Sequence, residues 1–371
     1  MKNILIFGMT ENPGGVESFL MSYIRKINRS KFKFGFLCNS YEKIAYEDEL
    51  ISYGCEIYHI TARSKDYKKY KREMQQFFKE HASKYDIIWV NVCSLANIDY
   101  LKYAKKYGIK RRIIHSHNSM NMDSKLRGLL HAYNKKNIEK YATDFWACSK
   151  EAGEWFYTQN GRKKEEYIII RNAIDFSRYR YNENKRDEYR KKFNVADKFV
   201  IGNVGRLQFQ KNQIFLLDIF NDVIKRQPAA ILWLIGQGED EKIIQNKIHQ
   251  LGLEENVKLL GVRDDVPELL QAMDVFLFPS LFEGLPIALL EAQAAGLVSF
   301  ASEKVIAEES KITKQLQFIS LTQGAQYWAD KIITANYKID REKMYEEALQ
   351  SHYNIDKEVI KLEILLEGKE E

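Results

Sequence analysis

Short apolar runs rich in β-branched and aromatic residues alternate with helix-period segments along most of this chain. In the first half the runs are NILIFG, KFGFLC, CEIYHI, DIIWVN and RRIIHSH, interleaved with GVESFLMSYIRKI and a long helical stretch from about Asp66. In the second half FVIGNVG, AILWLIG, VKLLG, DVFLFPS and LVSFAS keep the rhythm, with helices predicted after Lys211 and from Glu239. A strand that is apolar at every position has no face for water, so both of its faces must be covered. Helical crossovers between such strands do this and make the sheets parallel. The pattern predicts an α/β protein of two doubly wound, Rossmann-like domains facing across a cleft.

At 371 residues the chain exceeds the usual size of one domain. The predicted domains are 1–180 and 181–352. Residues 353–371, containing DKEVIKLEILLEG, are expected to form a last helix packing back across the join. The join itself is expected within 172–198, where polar residues displace the apolar rhythm. No apolar run is long enough to span a bilayer, and Glu11 follows the opening run too soon for a signal peptide, so a cytoplasmic location is expected. Cys38, Cys55, Cys93 and Cys148 lie far apart without a CxxC pair or a local histidine, which favours buried free thiols over a zinc site or disulfides.

The stretch PSLFEGLPIALLEAQAAG, residues 279–296, poses a chemical question. It carries Glu283 and Glu291 in an apolar setting, where an unpartnered carboxylate is costly. Read locally, DVFLFPS is a buried strand, LFEG is the loop at its carboxyl end, and Pro286 suits the first turn of a helix running to about Ala295. Glu283 then sits in the loop and Glu291 in the helix. The backbone N–H groups of Gly284, Leu285, Pro286 and Ile287 are expected to point at a ligand.

Other stretches are weaker alone. Gly14-Gly15-Val16-Glu17 is a glycine turn opening a helix, able to approach a phosphate or sugar, but it does not fit G-x-G-x-x-G. The GQG at Gly236–Gly238 is equally ambiguous. In VGRLQFQKNQ, Arg206 and Lys211 flank a loop before a helix, a suitable diphosphate clamp or simply a solvated basic loop. His115 and His117 in IIHSHN share one face of a strand. With no third metal ligand nearby, a hydrogen-bonding or basic histidine is favoured over a metal site.

Taken together and in order, GGVE, HSHN, ACSKEAGEWF, IIIRNAID, GRLQFQKN, LIGQGEDE and FEGLPIALLEAQAAG resemble the retaining glycosyltransferases of family four, which have the GT-B fold. The last of these is most similar to members that build bacterial capsule and exopolysaccharide. The resemblance implies an acceptor-binding first domain and a nucleotide-sugar-binding second domain. It implies that Arg206 and Lys211 hold the diphosphate and Glu291 the ribose hydroxyls. Glu283 would lie by the transferred sugar, Gly14 and Gly15 by the phosphate, His117 by a sugar hydroxyl, and Arg263 at the base. The chain departs from the family after Ser302, where EKVIAEESKIT replaces a common Gly-Gly turn.

The expected activity is transfer of a hexosyl or N-acetylhexosaminyl unit, with retention, from a UDP-sugar to a growing, lipid-linked glycan. No Asp-x-Asp occurs in the chain, so neither a metal nor any other cofactor is expected, and cations and helix N-termini would neutralise the leaving UDP. A sugar-nucleotide epimerase on a similar two-domain fold is the alternative, separable by acceptor-independent turnover. A nucleic-acid reader is a distant third, because no helix-turn-helix, RNP or zinc module is present.

Charge adds one further expectation. Residues 1–180 hold 33 Lys+Arg against 20 Asp+Glu, and residues 181–371 hold 24 against 31. In SKDYKKYKREMQQFFKEHASKY, Tyr67, Tyr70, Met74, Phe77, Phe78 and His81 recur at helical spacing, predicting a core-facing stripe. Lys65, Lys68, Lys69, Lys71, Arg72 and Lys79 occupy the remainder. With KYAKKYGIKRR and NKKNIEK they form a basic face that either is merely solvated or rests on an anionic membrane surface.

Overall fold

The computed structural model describes residues 1–118, 125–157 and 167–368. The chain divides into two units, Met1–Ala173 with Ile355–Glu371, and Ile174–Asn354. The expected boundaries at 180 and 352 thus move to 173 and 354, and the last segment belongs to the first unit. The cause is packing. Ile355, Val359, Leu362 and Leu366 recur every three or four residues along the final helix, Ile355–Glu367, and are buried in the first unit's core. Each such side chain contributes about 1.5–3 kcal/mol when fully buried.

The first unit is a seven-stranded, wholly parallel sheet of β1 (Lys2–Phe7), β2 (Phe32–Cys38), β3 (Glu56–His59), β4 (Ile87–Val92), β5 (Arg111–Ser116), β6 (Asp144–Ala147) and β7 (Ile168–Ile169). Its order is β3-β2-β1-β4-β5-β6-β7. The helix Gly15–Lys26 covers one face through Phe19, Leu20 and Tyr23, against Trp89 and Trp146. The helix Tyr67–His81 covers the other, capped by the Asp66 carboxylate on the Lys69 N–H. Tyr70, Met74, Phe77 and Phe78 of the expected stripe are buried, while Tyr67 is exposed. β6 ends where the quoted ACSKEAGEWF begins and β7 lies at the start of IIIRNAID, and both are too short to read as strands from pattern alone.

The second unit repeats the plan with β8 (Phe199–Val204), β9 (Ala230–Ile235), β10 (Val257–Gly261), β11 (Val275–Phe278), β12 (Val298–Ser302) and β13 (Leu316–Ile319), in the order β10-β9-β8-β11-β12-β13. The polar stretch expected as a join is largely part of this unit. Its helix, Glu183–Lys192, docks by charge: Arg186 and Arg190 pair with Asp274, and Arg190 also donates to the Ala272 carbonyl. At the departure from the family pattern, Lys304 takes a positive φ of 63°, the backbone state that a glycine turn adopts without strain. Of the four cysteines expected to be buried, Cys38 is buried, Cys55 and Cys148 are half-buried, and Cys93 is exposed.

Strand order reverses between β1 and β4 in one unit and between β8 and β11 in the other. In doubly wound sheets the carboxyl ends of the strands at such a reversal open a crevice for ligands.

Candidate functional site

In the first unit the reversal carries a cavity of about 1060 Å³, lined in part by Gly15, Glu17, Arg63, Asn91 and His117. Gly14 is the N-cap of the helix Gly15–Lys26. The loop before it is closed by the buried Glu17 carboxylate, which accepts the Thr10 N–H at 3.0 Å, the Thr10 hydroxyl at 2.7 Å and the Gly14 N–H at 3.1 Å. A side chain at Gly15 would meet no protein atom within 4 Å, so the protein's own packing does not require glycine there. Glycine keeps that wall low for whatever occupies the cavity.

His115 and His117 lie on one face, as their spacing predicts, with ring centroids 4.3 Å apart. His115 is wholly buried and stacks on Trp89, which donates to its Nδ1 at 3.3 Å, so it is a core residue. His117 lines the cavity, and desolvation lowers its pKa to about 3, which keeps it neutral. Its Nε2 lies 2.9 Å from Asn91 Oδ1, while the Asn91 amide nitrogen is directed at the Phe7 and Trp89 carbonyls. That orientation makes Nε2 the donor and leaves Nδ1 as the ring's acceptor. Toward the cavity His117 is therefore built to receive a hydrogen bond while staying neutral. Asn91 and Glu17 were not singled out from sequence, although DIIWVN sets an amide in an apolar strand and GGVE contains the carboxylate.

In the second unit the loop after β8 is stitched to the loop after β11. Leu281 N–H donates to the Gln210 carbonyl at 2.8 Å and Asn212 Nδ2 to the Pro279 carbonyl at 3.0 Å. The effect is to seat Lys211 against Glu283, Nζ to Oε1, at 2.7 Å, with their side chains only 17% and 4% exposed. Gln210 donates to the other Glu283 oxygen at 3.3 Å, and Lys211 lies over the Phe278 ring. Arg206 is brought to the same loop but stays solvated, with its Nε 4.0 Å from Glu239. The GQG is structural: side chains at Gly236 and Gly238 would strike the carbonyls of Gly205 and Leu207, each at 2.1 Å.

Pro286 is the N-cap rather than the first helical residue, and the helix runs Ile287–Ala294. The expected row of four amides shrinks. Pro286 has no N–H and the Ile287 N–H turns back to the Leu285 carbonyl at 3.0 Å, leaving those of Gly284 and Leu285 without a protein partner among the described residues. Glu291 accepts the Tyr179 hydroxyl at 2.5 Å, and burial holds its pKa above the ordinary carboxylate value despite that bond and the nearby Arg178. No sequence pattern marked Tyr179, because its partner lies 112 residues away. Arg263 is not joined to this cluster. Asp265 takes its guanidinium in a fork at 2.8 and 2.6 Å.

Among the described residues no group of three or more His, Cys, Asp or Glu is disposed to hold a metal ion. No described helix is long and apolar enough to cross a membrane.

Residues 185–350 match the family described as Glycosyl transferases group 1. EpsF of Bacillus subtilis, named as a glycosyltransferase, is 28% identical over 331 residues, covering 87% of this chain and 85% of its own. CapH of Staphylococcus aureus, a capsular polysaccharide biosynthesis glycosyltransferase, is 25% identical over 82% of this chain and 81% of its own. Over 149 residues, 38% of either chain, identity reaches 34% with the Escherichia coli UDP-Gal:alpha-D-GlcNAc-diphosphoundecaprenol alpha-1,3-galactosyltransferase. The Anabaena protein Alr3699/HepE, crystallised with UDP, shares the fold with a TM-score of 0.76 at 20% identity, over 99% of this chain and 100% of its own.

Proposed function

We propose that this chain moves a hexosyl or N-acetylhexosaminyl unit, with retention, from a UDP-sugar to a lipid-linked glycan, a reading supported by the match of residues 185–350 to the group 1 glycosyl transferases and by the similarity to EpsF and to the capsular glycosyltransferase CapH. The observation that carries this reading is the buried Lys211–Glu283 pair beside the amides of Gly284 and Leu285, at the strand-order reversal of the second unit. An ammonium has three donors, so Lys211 can keep Glu283 and still give two to a diphosphate. Arg206, being solvated, is free in conformation to fold onto the same group. Together with the two amides it stabilises the charge that develops on the leaving UDP.

Glu283, held by Lys211 and Gln210, orients the transferred sugar, while Glu291 takes the ribose hydroxyls. The first unit takes the acceptor, and the neutral His117 there accepts a hydrogen bond from a sugar hydroxyl that does not react. The proton of the attacking acceptor hydroxyl passes to the leaving phosphate on the same face of the sugar, which gives retention without a covalent sugar–enzyme intermediate. Arg263 meets the base only if it leaves Asp265, so its role is the weakest of the set. A lipid-linked acceptor agrees with the basic first half, whose lysine-rich face rests on anionic headgroups, and with the Escherichia coli relative whose named acceptor is a diphosphoundecaprenol.

A panel of UDP- and GDP-sugars, scored for nucleotide release with and without a glycosyl-diphosphate-lipid acceptor, tests the reading. Acceptor-dependent release from a UDP-sugar is expected. Conversion of the sugar nucleotide without acceptor would instead establish the epimerase.

A further inference from the structure

The helix Lys125–Lys135 is amphipathic in the reverse of the usual sense. A core-packing helix buries its apolar stripe. Here Leu126, Leu129, Leu130 and Tyr133, at i, i+3, i+4 and i+7, are 68%, 70%, 37% and 67% exposed. The buried side is polar. His131 Nδ1 accepts the Leu95 N–H at 3.0 Å, Asn134 Nδ2 donates to the Leu95 carbonyl at 2.7 Å, and His131 stacks on Trp155 with centroids 4.2 Å apart. These bonds fix the helix in rotation, so the apolar stripe is held outward and cannot roll inward without leaving buried polar groups unpaired.

Two observations say what covers the stripe. Lys125 and Arg127 lie on the same helix and are exposed, with Lys136 and Lys140 just beyond, so the apolar strip is bordered by positive charge. The stripe is also continuous with the first-unit cavity, since Leu126 and Leu130 line it alongside His117. We infer that this helix inserts its apolar stripe into the hydrocarbon boundary of an anionic bilayer, its bases meeting the headgroups. Resting on the proposal that the acceptor is lipid-borne, docking in this way sets the cavity mouth at the membrane surface, where the acceptor's sugar reaches His117 without its lipid being extracted. The anchor is thus distinct from the basic helix Tyr67–His81, which buries its own stripe and contributes charge alone.

The test uses the full chain and sedimentation with vesicles of phosphatidylglycerol and phosphatidylcholine in equal parts. Leu129→Ser with Tyr133→Ser alters the two stripe residues that do not line the cavity, and removing their burial should cut vesicle binding about tenfold or more. Lys68→Glu with Lys71→Glu should weaken binding at low salt, while the part that survives high salt remains. UDP titration of each variant checks folding and keeps the two ideas apart. A wild-type chain that binds vesicles but not UDP would sink the donor reading and leave the anchor standing. Vesicle binding unchanged by the serine pair, or abolished at high salt in the wild type, would overturn the anchor. So would a wild-type dimer in solution that the serine pair dissolves, because a second copy would then be what covers the stripe.

Discussion

The two units place their crevices at the same point of the same topology, yet they furnish them in opposite ways. In the first unit the group offered to a ligand by His117 is neutral, although Glu17 and Arg63 also line the cavity: the imidazole is held uncharged by desolvation and hydrogen-bonded to an amide. In the second an ammonium and a carboxylate are buried together, with an exposed guanidinium beside them. The first suits a sugar hydroxyl, which needs an acceptor and no charge. The second suits a diphosphate, which needs cations held ready before it arrives. Since the sheets are alike, the difference resides in the loops at the strand ends, where one scaffold can acquire different chemistry.

The sharpest way to break this contrast is Lys211→Ala. It removes a donor contact and also strands Glu283, whose side chain is 4% exposed, without its cation. Breaking a buried pair on one side costs about 3–5 kcal/mol. A clear drop in melting temperature and a loss of donor turnover of about a hundredfold are expected, the turnover loss lying at the upper end of a single charge-assisted contact of about 1.5–3 kcal/mol. Glu283→Gln should recover much of the stability while transfer stays poor. If Lys211→Ala melts and turns over like the wild type, the second crevice is not organised by charge.

Next in size is Glu291, where the contrast can be sharpened by pH. Glu291→Ala should weaken UDP binding about tenfold to a hundredfold, the range for a charged hydrogen bond, whereas Glu283→Ala should spare UDP binding and impair transfer. Ribose hydroxyls donate to the ionised carboxylate, so UDP affinity should be constant at high pH and fall as pH drops through the raised Glu291 pKa. The same shift acts on folding with a definite sign. The folded value lies above 4.5, so ionising Glu291 destabilises the fold, an effect absent below 4.5 and complete once pH exceeds the folded value. The Tyr179 hydroxyl holds that pKa down, so Tyr179→Phe should move the acid limb of UDP binding to higher pH. Titration calorimetry across pH decides it, and an acid limb unmoved by Tyr179→Phe would deny Tyr179 this positioning role.

How far these roles could be read from the chain depends on the range of each interaction. Strand–helix alternation is local, and it announced the doubly wound units. β6, β7 and β13 are two to four residues long and carry no period of their own. Glu283 stood out because it breaks an apolar stretch, and Lys211 because it flanks, with Arg206, a loop before a helix. Their mutual contact spans 72 residues and left no mark in either stretch. Tyr179 was hidden for the same reason, and the helix Glu183–Lys192 looked like linker because it docks through arginines rather than leucines. Pro286 misled in detail, since its ring suits both an N-cap and a first turn, and only the backbone reveals which.

A smaller effect is expected at His117, and it bears on the first unit alone. His117→Phe should lower transfer about fivefold, as loss of one neutral hydrogen bond of roughly 1 kcal/mol would, with UDP affinity unchanged. Because the imidazole stays neutral down to about pH 3, activity should lose nothing to His117 protonation above that point. The acid limb belongs to Glu291 instead. An activity limb near pH 6.5 that disappears in His117→Phe would contradict a neutral His117.

The smallest expected effect is none at all, on adding excess EDTA. A divalent ion bridging a diphosphate usually needs a carboxylate with lone pairs to spare. The carboxylate nearest the proposed diphosphate is Glu283, and both of its oxygens are engaged, one by Lys211 at 2.7 Å and the other by Gln210 at 3.3 Å. Glu291 is tied to Tyr179, and the sequence has no Asp-x-Asp pair to take over. A metal entering here would have to displace the ammonium, exchanging one cation for another and leaving Lys211 buried without its partner. Neutralisation of the leaving UDP should therefore fall to Lys211, Arg206 and the amides of Gly284 and Leu285, and turnover should be the same with EDTA as with added Mn²⁺. Inactivation by EDTA that Mn²⁺ restores would mean that the Lys211–Glu283 pair opens during catalysis to admit an ion, and the contrast between the two crevices would have to be redrawn around that opening.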